Sequence, residues 1–378
     1  MRLAMLTALF LVPSMVAAQE AFGSGWNPHL NLGGGGPGKY KARASGGGNI
    51  ACERTAIIAG LKWLEKHQQP DGRWLCKHSH DTTVAVTSLG VLAMTGNGST
   101  LRAGPWKPAI TKAVVWLREN QKASGAFADA SGPHLLAALA ITECYLLSDY
   151  KLLKKNSVLA INYANLLRAD DGGWRASIED QQSDPALTLW GTTLLVTACE
   201  VELADKDNLC DGVFDWLRSH QANLTPNSGI LGVAAPVNRQ SELVYDQAAA
   251  NAFTLCWLSL SDENPTTAAA MQITAAAIRK DALIRARALP RTWVNNPRLK
   301  LSINEWFCSA HALAQAGDKD SVAAICKSLA KAQVADGEDR GSWAPIGVWG
   351  EAGGRAWTTA MAVLTLEAPY RYAKIDGM

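Results

Sequence analysis

The sequence lacks an apolar run long enough to span a bilayer, which needs about eighteen or more residues. It also lacks an excess of either charge, because 36 Lys and Arg residues stand against 34 Asp and Glu residues. The resulting net charge of +2 gives no reason to expect binding to nucleic acid or to an anionic membrane surface. These absences predict a protein with no membrane span and no nucleic-acid partner.

The first eighteen residues have the layout of a secretory signal peptide. Arg2 precedes an apolar run over residues 3–12, and small residues at 16–18 offer a cleavage site before Gln19. No Cys follows this site, which argues against a lipid anchor there. Residues 1–18 are therefore predicted to be a signal peptide, and the protein is expected to be exported to the periplasm or the extracellular space.

Residues 19–50 form a Gly-rich segment with glycine clusters at 33–36 and 46–48. Such a composition buries too little apolar surface to order itself, so a flexible segment is predicted. Hydrophobic residues make up 48% of the chain and charged residues 19%, which suits a large helical core over residues 51–373. We predict that this range is one domain.

The chain has eight cysteines, a number that permits disulfides in an exported protein. Four of them lie in apolar stretches, where a thiol behaves as a small buried hydrophobe: Cys144, Cys199, Cys256 and Cys308. The sequence leaves open whether any disulfide forms. If one does, the candidates are Cys52, Cys76, Cys210 and Cys326.

A motif with a Gln, a Gly and an aromatic residue recurs about every fifty residues, a period that indicates a repeat architecture. Its clearest copy runs from Trp63-Leu64 through Gln68 and Asp71-Gly72 to Trp74. Weaker copies include Gln121, Gly125 and Phe127; Arg168, Gly172 and Trp174; Gln221 and Gly229; and Gln333, Gly341 and Trp343. The repeated residues are predicted to be structural, with Gly in a tight turn, Gln satisfying backbone groups and the aromatic ring packing between repeats.

Each repeat is predicted to contain two helices. The first ends in the motif, as in residues 55–68, where apolar residues recur at helical spacing. The second is apolar on nearly all sides and is therefore buried all round; its copies cover residues 82–94, 133–147, 185–203, 247–260, 304–316 and 356–370. This pattern predicts an all-α fold, an α/α toroid of about six helical hairpins with an inner ring inside an outer ring. The fifth repeat lacks a clear motif, and an open solenoid is the alternative architecture.

The motif Gln68-x-x-Asp71-Gly72-x-Trp74 resembles the repeat of the terpenoid cyclase and protein prenyltransferase superfamily. Residues 131–140 and 352–367 resemble helices of exported bacterial proteins that carry prenyltransferase and squalene-oxidase repeats. The resemblance covers nearly all of residues 55–372. It implies an α/α toroid with a central cavity that is open at one end.

The catalytic motifs of that superfamily are missing from this sequence. There is no Asp-x-Asp-Asp acid, and Asp170-Asp171 is one carboxylate short of it; there is also no Asp-Asp-x-x-Asp, no Asp-x-Cys and no thioester motif. Because fold and active site are separate questions, two functions are kept. The first is a binding or scaffold protein, whose partner is an unknown protein, an apolar ligand or a carbohydrate. The alternative is an enzyme that acts in the central cavity, either a divergent terpenoid cyclase or a carbohydrate-active hydrolase or lyase.

One polar loop before the first buried helix combines residue types that bind zinc. Its candidate ligands are Cys76, His78, His80 and Asp81. The alternative is that Asp81 caps a helix that begins at Thr82. No cofactor is predicted for the chain, and zinc at this loop is kept as a weaker hypothesis.

In a toroid the inner helices begin at one end, which we call the mouth. Polar residues at or near these starts are candidates for acid–base chemistry: Asp184, His134, Tyr245, Asp246, Glu305 and Arg355. Three tryptophans deeper in the same helices are predicted to line the cavity: Trp190, Trp306 and Trp357. Helix capping is the alternative role for the carboxylates, because Asp184 precedes Pro185 as an N-cap residue does.

Overall fold

The computed structural model describes residues 51–76, 79–204, 212–213, 215–216 and 303–371. Within these ranges the chain is helical, and its only β-type pairing is two isolated bridges in the turn before the sixth helix. The predicted signal peptide and Gly-rich segment lie outside the described residues, as do the predicted helix over 247–260 and most of the fifth repeat. The predictions for these segments therefore stay predictions.

Outer and inner helices alternate along the chain, as the sequence pattern predicts. The outer helices are α1 (Ala51–Lys66), α3 (Lys107–Glu119), α5 (Leu152–Leu166) and α8 (Lys319–Lys331). The inner helices are α2 (His80–Gly96), α4 (Ser131–Ser148), α6 (Pro185–Glu200), α7 (Ile303–Gln315) and α9 (Gly347–Leu366), followed by the short α10 (Ala368–Arg371). The inner helices are buried on nearly every side, so their packing supplies most of the apolar core.

The helices pack as a ring in which the last repeat meets the first. Along the inner layer, α2 packs against α4 and α4 against α6, while α9 packs against both α7 and α2. In the outer layer, α8 packs against α1. The predicted all-α toroid is confirmed by this arrangement. Within the described ranges, no helix combines the length and the apolar character that crossing a bilayer requires.

In three of the described repeats the motif glutamine joins the repeat to the next one. Gln68 Nε2 donates to the carbonyl of Gly72 at 2.8 Å and to that of Ala109, in the next outer helix, at 2.9 Å. Gln121 makes the equivalent bonds to Gly125 and Asn156, and Gln333 makes them to Gly341 and Ala56. The bond from Gln333 to Ala56 links the last repeat to α1, so the junction that closes the ring uses the same contacts as the junctions made by Gln68 and Gln121.

The motif glycine is confirmed as a turn residue with a left-handed backbone. Gly72 has φ +101°, a conformation that side chains with a Cβ rarely adopt. A Cβ placed there would lie 2.3 Å from the carbonyl group of Lys112 in α3, so Gly also permits the outer helix to approach. The predicted packing of the aromatic ring between repeats holds for Trp343, whose ring lies against Gly60 of α1. Trp74 instead packs inside its own repeat: its Nε1 donates to Leu64 O at 2.8 Å, and its ring lies against Gly90.

A buried ionic cluster lies at the end of the ring opposite the mouth. Arg371, in α10, donates to both carboxylate oxygens of Glu143 at 2.8 and 2.9 Å and to Glu367 at 3.1 Å. Thr95 donates to Glu143 at 2.5 Å, and Arg371 also donates to the carbonyl of Leu92 at 2.7 Å. Burial raises the pKa of Glu367 well above its usual value, although Arg371 lowers it. The cluster connects α10 to α2 and α4.

Candidate functional site

The mouth is formed where the inner helices begin, and the starts of α2 and α6 are each stabilised by an N-cap side chain. Ser79 is the N-cap of α2, and its side chain accepts a hydrogen bond from the backbone N–H of Thr82. Asp184 is the N-cap of α6 and accepts the N–H groups of Ala186 and Leu187 at 2.8 and 3.0 Å. The predicted capping role of Asp184 is therefore confirmed.

The predicted capping role of Asp81 is wrong, because α2 begins at His80 and has Ser79 as its cap. Asp81 instead accepts the backbone N–H of Ala130 at 2.7 Å and that of Asp129 at 3.3 Å. These two residues precede α4, so the carboxylate stabilises the start of the inner helix of the next repeat. Asp81 thus connects neighbouring repeats at the mouth.

His134 has both ring nitrogens engaged by backbone groups. The backbone N–H of Phe127 donates to Nδ1 at 3.2 Å, and Nε2 lies 3.2 Å from the carbonyl of Ala160. This pairing assigns the ring proton to Nε2, since Nδ1 is the acceptor. Burial lowers the pKa of His134 to about 4, which keeps the ring neutral.

The contact of His134 has an equivalent in the other repeats. In three of them the motif tryptophan donates its backbone N–H to a threonine in the inner helix, at 3.0 to 3.2 Å: Trp74 to Thr87, Trp174 to Thr188 and Trp343 to Thr359. In the second repeat Phe127 replaces Trp, and His134 replaces Thr. The position of His134 in the fold is therefore that of a repeat contact.

Arg355 directly follows a kink at Gly354 inside α9, and Glu305 lies near the start of α7. Arg355 Nη2 forms an ion pair with Asp339 at 3.0 Å, and Nη1 donates to Ser342 Oγ at 3.1 Å. Glu305 is buried in the first turn of α7. Tyr245 and Asp246 lie outside the described residues. Their predicted catalytic roles, like those of the other mouth residues, stay predictions.

The three predicted cavity tryptophans lie on inner helices. Trp190 is half-buried and stacks on Phe307 of α7, with ring centroids 5.3 Å apart. Trp306 and Trp357 are buried, and within the described part of the chain the Nε1 of each has no hydrogen-bond partner. Trp357 also stacks on the exposed Trp349 at 6.2 Å. Aromatic pairs therefore lie along the inner helices, and the predicted role of these tryptophans in lining a cavity stays a prediction.

The candidate zinc loop has other contacts in this structure. Cys76 is a free thiol whose Sγ donates to the carbonyl of Ala352 at 2.8 Å, and His80 lies beside the ring of Trp116. His78 lies outside the described residues. Among the residues that are described, no group of three His, Cys, Asp or Glu side chains is placed to hold a metal ion. The zinc hypothesis stays a prediction that depends on His78.

The cysteine predictions are tested in part. Cys144 is a buried thiol in α4, as predicted, and burial raises its pKa. Cys326, a disulfide candidate, is buried in α8, with Sγ 3.9 Å from the carbonyl of Thr365. Cys210, Cys256 and the side chain of Cys52 lie outside the described residues.

Comparison with known proteins identifies solved structures that share the fold at low sequence identity. No family model and no curated protein matches the sequence. The GH76A alpha-1,6-mannanase of Salegentibacter sp. HEL1_6 superposes with a TM-score of 0.61 at 9% identity, covering 85% of this chain and 100% of the mannanase. The type II terpene cyclase MstE from Scytonema superposes at 0.52 with 15% identity, covering 84% and 98%. A novel alpha-amylase from Clostridium perfringens gives 0.54 at 10% identity, covering 83% and 97%.

The chain has the α/α-toroid fold of the terpenoid cyclases. The fold expected from the repeat motif is thereby confirmed, and the mannanases share it. Identities of 8% to 15% carry no site residue from those enzymes to this chain.

Replacing His134 with Thr is expected to make stability less dependent on pH below 6.5. The unfolded chain binds a proton on this imidazole near pH 6.5, whereas the folded chain does so only near pH 4. Stability therefore falls as the pH falls between these values, by up to about 1.4 kcal/mol per pH unit for one such group. Urea unfolding at pH 4.5, 5.5 and 6.5 measures the slope. An unchanged slope in His134→Thr would show that His134 is not the titrating group.

Proposed function

We propose that the protein is a non-catalytic binding protein built on the α/α toroid. The proposal rests on the hydrogen bonds of His134, the candidate base of the mouth. Both of its ring nitrogens are engaged by backbone groups. Asp81 and Arg355 are likewise used in contacts between or within repeats. A general acid or base needs a group that can reach a substrate proton, and these three side chains are held by the fold itself.

A comparison with the mannanase bears on the enzyme alternative. A variant of it with two consecutive aspartates replaced is inactive. The sequence of this chain has a single pair of adjacent aspartates, Asp170-Asp171, and both are exposed in the turn after α5. Asp171 accepts hydrogen bonds from the N–H of Gly173 at 3.0 Å and from Ser183 Oγ at 2.6 Å, as a turn residue does. This placement weighs against the same chemistry at this pair.

An enzyme in the central cavity is the second candidate, because the solved structures that share this fold over their full length include a mannanase, an amylase and a terpene cyclase. Its active groups would include Glu305, Asp184 and the candidates at 245 and 246. The ligand of the toroid is proposed to be a protein, an apolar molecule or a carbohydrate. We also infer from residues 1–18 that the protein is exported and acts in the periplasm or outside the cell.

Turnover assays distinguish the two candidates. We expect the purified chain to release no sugar from alpha-1,6-mannotetraose, which the mannanase variant binds, or from starch, as a substrate for an alpha-amylase. We also expect it to cyclise no geranylgeranyl dihydroxybenzoate, the substrate bound by the terpene cyclase. Product formation that is lost in Asp184→Asn and in Glu305→Gln, but kept in the control Glu119→Gln at an exposed residue of the outer helix α3, would contradict the binding proposal and support the enzyme.

A further inference from the structure

A groove of about 680 Å³ lies on the outside of the ring, at the seam where the last repeat meets the first. We call it the seam groove. One wall is the outer face of α1, with Arg54, Lys62 and Lys66, and the other is the turn over residues 337–341 that follows α8. A volume of this size is typical of ligand-binding clefts in proteins. No described residue of an inner helix lines the groove, although Asp339 in its second wall pairs with Arg355 of α9.

An insertion in the last motif builds the second wall. In three of the described repeats, four positions separate the residue at the glutamine position from the turn glycine, as in Gln68 and Gly72, whereas eight separate Gln333 and Gly341. The extra residues project from the ring: Gly337 has φ +78° with no atom within 4 Å of a Cβ built on it, and Glu338 and Arg340 are exposed. Insertions in one repeat of a repeat protein often mark its binding face.

The seam groove is strongly cationic. Four basic side chains line it, Arg54, Lys62 and Lys66 on α1 and Arg340 on the inserted turn, against one acidic side chain, Glu338. None of the four forms an ion pair within the described part of the chain. Because a helix rises 1.5 Å per residue, the cations on α1 extend over about 18 Å. Such a stripe suits an extended anion better than a single small one.

The floor of the groove favours a polypeptide over a saccharide. It consists of Ile58, Ala59 and Trp63, and Trp63 is only 6% exposed. The ring of His67 covers one face of Trp63, with centroids 4.0 Å apart, so no open aromatic face is offered to a sugar ring. The Trp63 Nε1 is buried without a hydrogen-bond partner, which leaves one donor unsatisfied beside the groove.

We propose that the seam groove binds an extended acidic segment of a partner protein. About six extended residues span the length of the cationic stripe. Their carboxylates pair with Arg54, Lys62, Lys66 and Arg340, and an apolar side chain between them packs on Ile58. The inference rests on the proposed binding function and specifies its partner, but none of the residues that line the groove is a candidate catalytic residue of the mouth. A turnover assay and a groove-binding assay therefore fail independently.

The test measures binding of a fluorescein-labelled peptide of repeated Glu-Glu-Leu units to the full chain by fluorescence anisotropy. We expect Lys62→Glu/Lys66→Glu to weaken binding about tenfold or more, because two attractive contacts become repulsive. The control Lys154→Glu/Lys155→Glu changes the net charge equally on the exposed face of α5 and is expected to leave binding within about twofold. Circular dichroism checks that both variants are folded.

Four results overturn the proposal. They are no binding of the acidic peptide at low salt, equal weakening in the two double variants, equal binding of a peptide with Gln in place of Glu, or stronger binding of polygalacturonate than of the peptide. No binding at low salt would show that the groove does not bind the peptide, and equal weakening in the two double variants would indicate a response to net charge alone. Equal binding of the Gln peptide would show that the carboxylates are not recognised. Stronger binding of polygalacturonate would assign the groove to an anionic saccharide. Loss of binding only in Lys62→Glu/Lys66→Glu supports it.

Discussion

Replacing Arg371 with Met is expected to destabilise the protein by about 3–5 kcal/mol, the range found when one partner of a buried ion pair is removed. The guanidinium makes two hydrogen bonds to Glu143 and one to Glu367, and all three side chains are about 1% exposed or less. Met fills a similar volume but leaves the Glu143 carboxylate buried without its cation. Urea unfolding, followed by circular dichroism, gives the change in free energy.

The variant Glu143→Gln and the double variant with Arg371→Met complete the test. Gln keeps the shape of Glu143 without its charge, so the double variant is expected to be more stable than the sum of the two single losses by about 1–3 kcal/mol. Strictly additive losses would show that the two side chains contribute through packing and not through their ion pair.

Replacing Gly341 with Ala is expected to cost about 3 kcal/mol or more, because two unfavourable effects combine at this position. The residue has φ +91°, where a Cβ strains the backbone by about 1–2 kcal/mol. The new Cβ would also lie 2.6 Å from the carbonyl oxygen of Ala59, so α1 has to move away from the turn. Thermal and urea unfolding both measure this loss.

The same turn supplies a matched control for Gly341. Gly337 also has a left-handed backbone, φ +78°, but no atom lies within 4 Å of a Cβ built on it. Gly337→Ala is therefore expected to cost only the backbone strain, about 1 kcal/mol. Equal losses in the two variants would mean that the close approach of α1 to Gly341 does not contribute to stability.

The ring was predictable from the sequence because its determinants are local. Gly72, Gln68 and Trp74 stand within seven residues of one another, and the apolar inner helices are continuous segments. The geometry of the motif turn and the burial of the inner helices follow from such patterns, even when the neighbouring repeats are not known. The structure moves the predicted helix ends by a few residues, as the start of α2 at His80 shows, and leaves the elements in place.

The contacts at the mouth were harder to predict because they join different repeats. Asp81 reaches Ala130, 49 positions later, and nothing near Asp81 in the sequence indicates that partner. The sequence does not reveal that His134 and Thr87 are equivalent, because their distances from the motif aromatic residue differ. Thr87 follows Trp74 by 13 positions, whereas His134 follows Phe127 by 7. A direct comparison of the repeats with gaps allowed would have been needed to align them.

The closing bond from Gln333 to Ala56 joins residues 277 positions apart. Until the final repeat has folded, the face of α1 that packs against α8 has no neighbour, and the contacts of the closing junction contribute no stability to the open ring. Contacts between such distant residues raise the contact order of the chain, and folding rates fall as contact order rises. The last step of folding is thus expected to be slow, and a chain that lacks its final repeat remains an incomplete ring with two exposed helix faces.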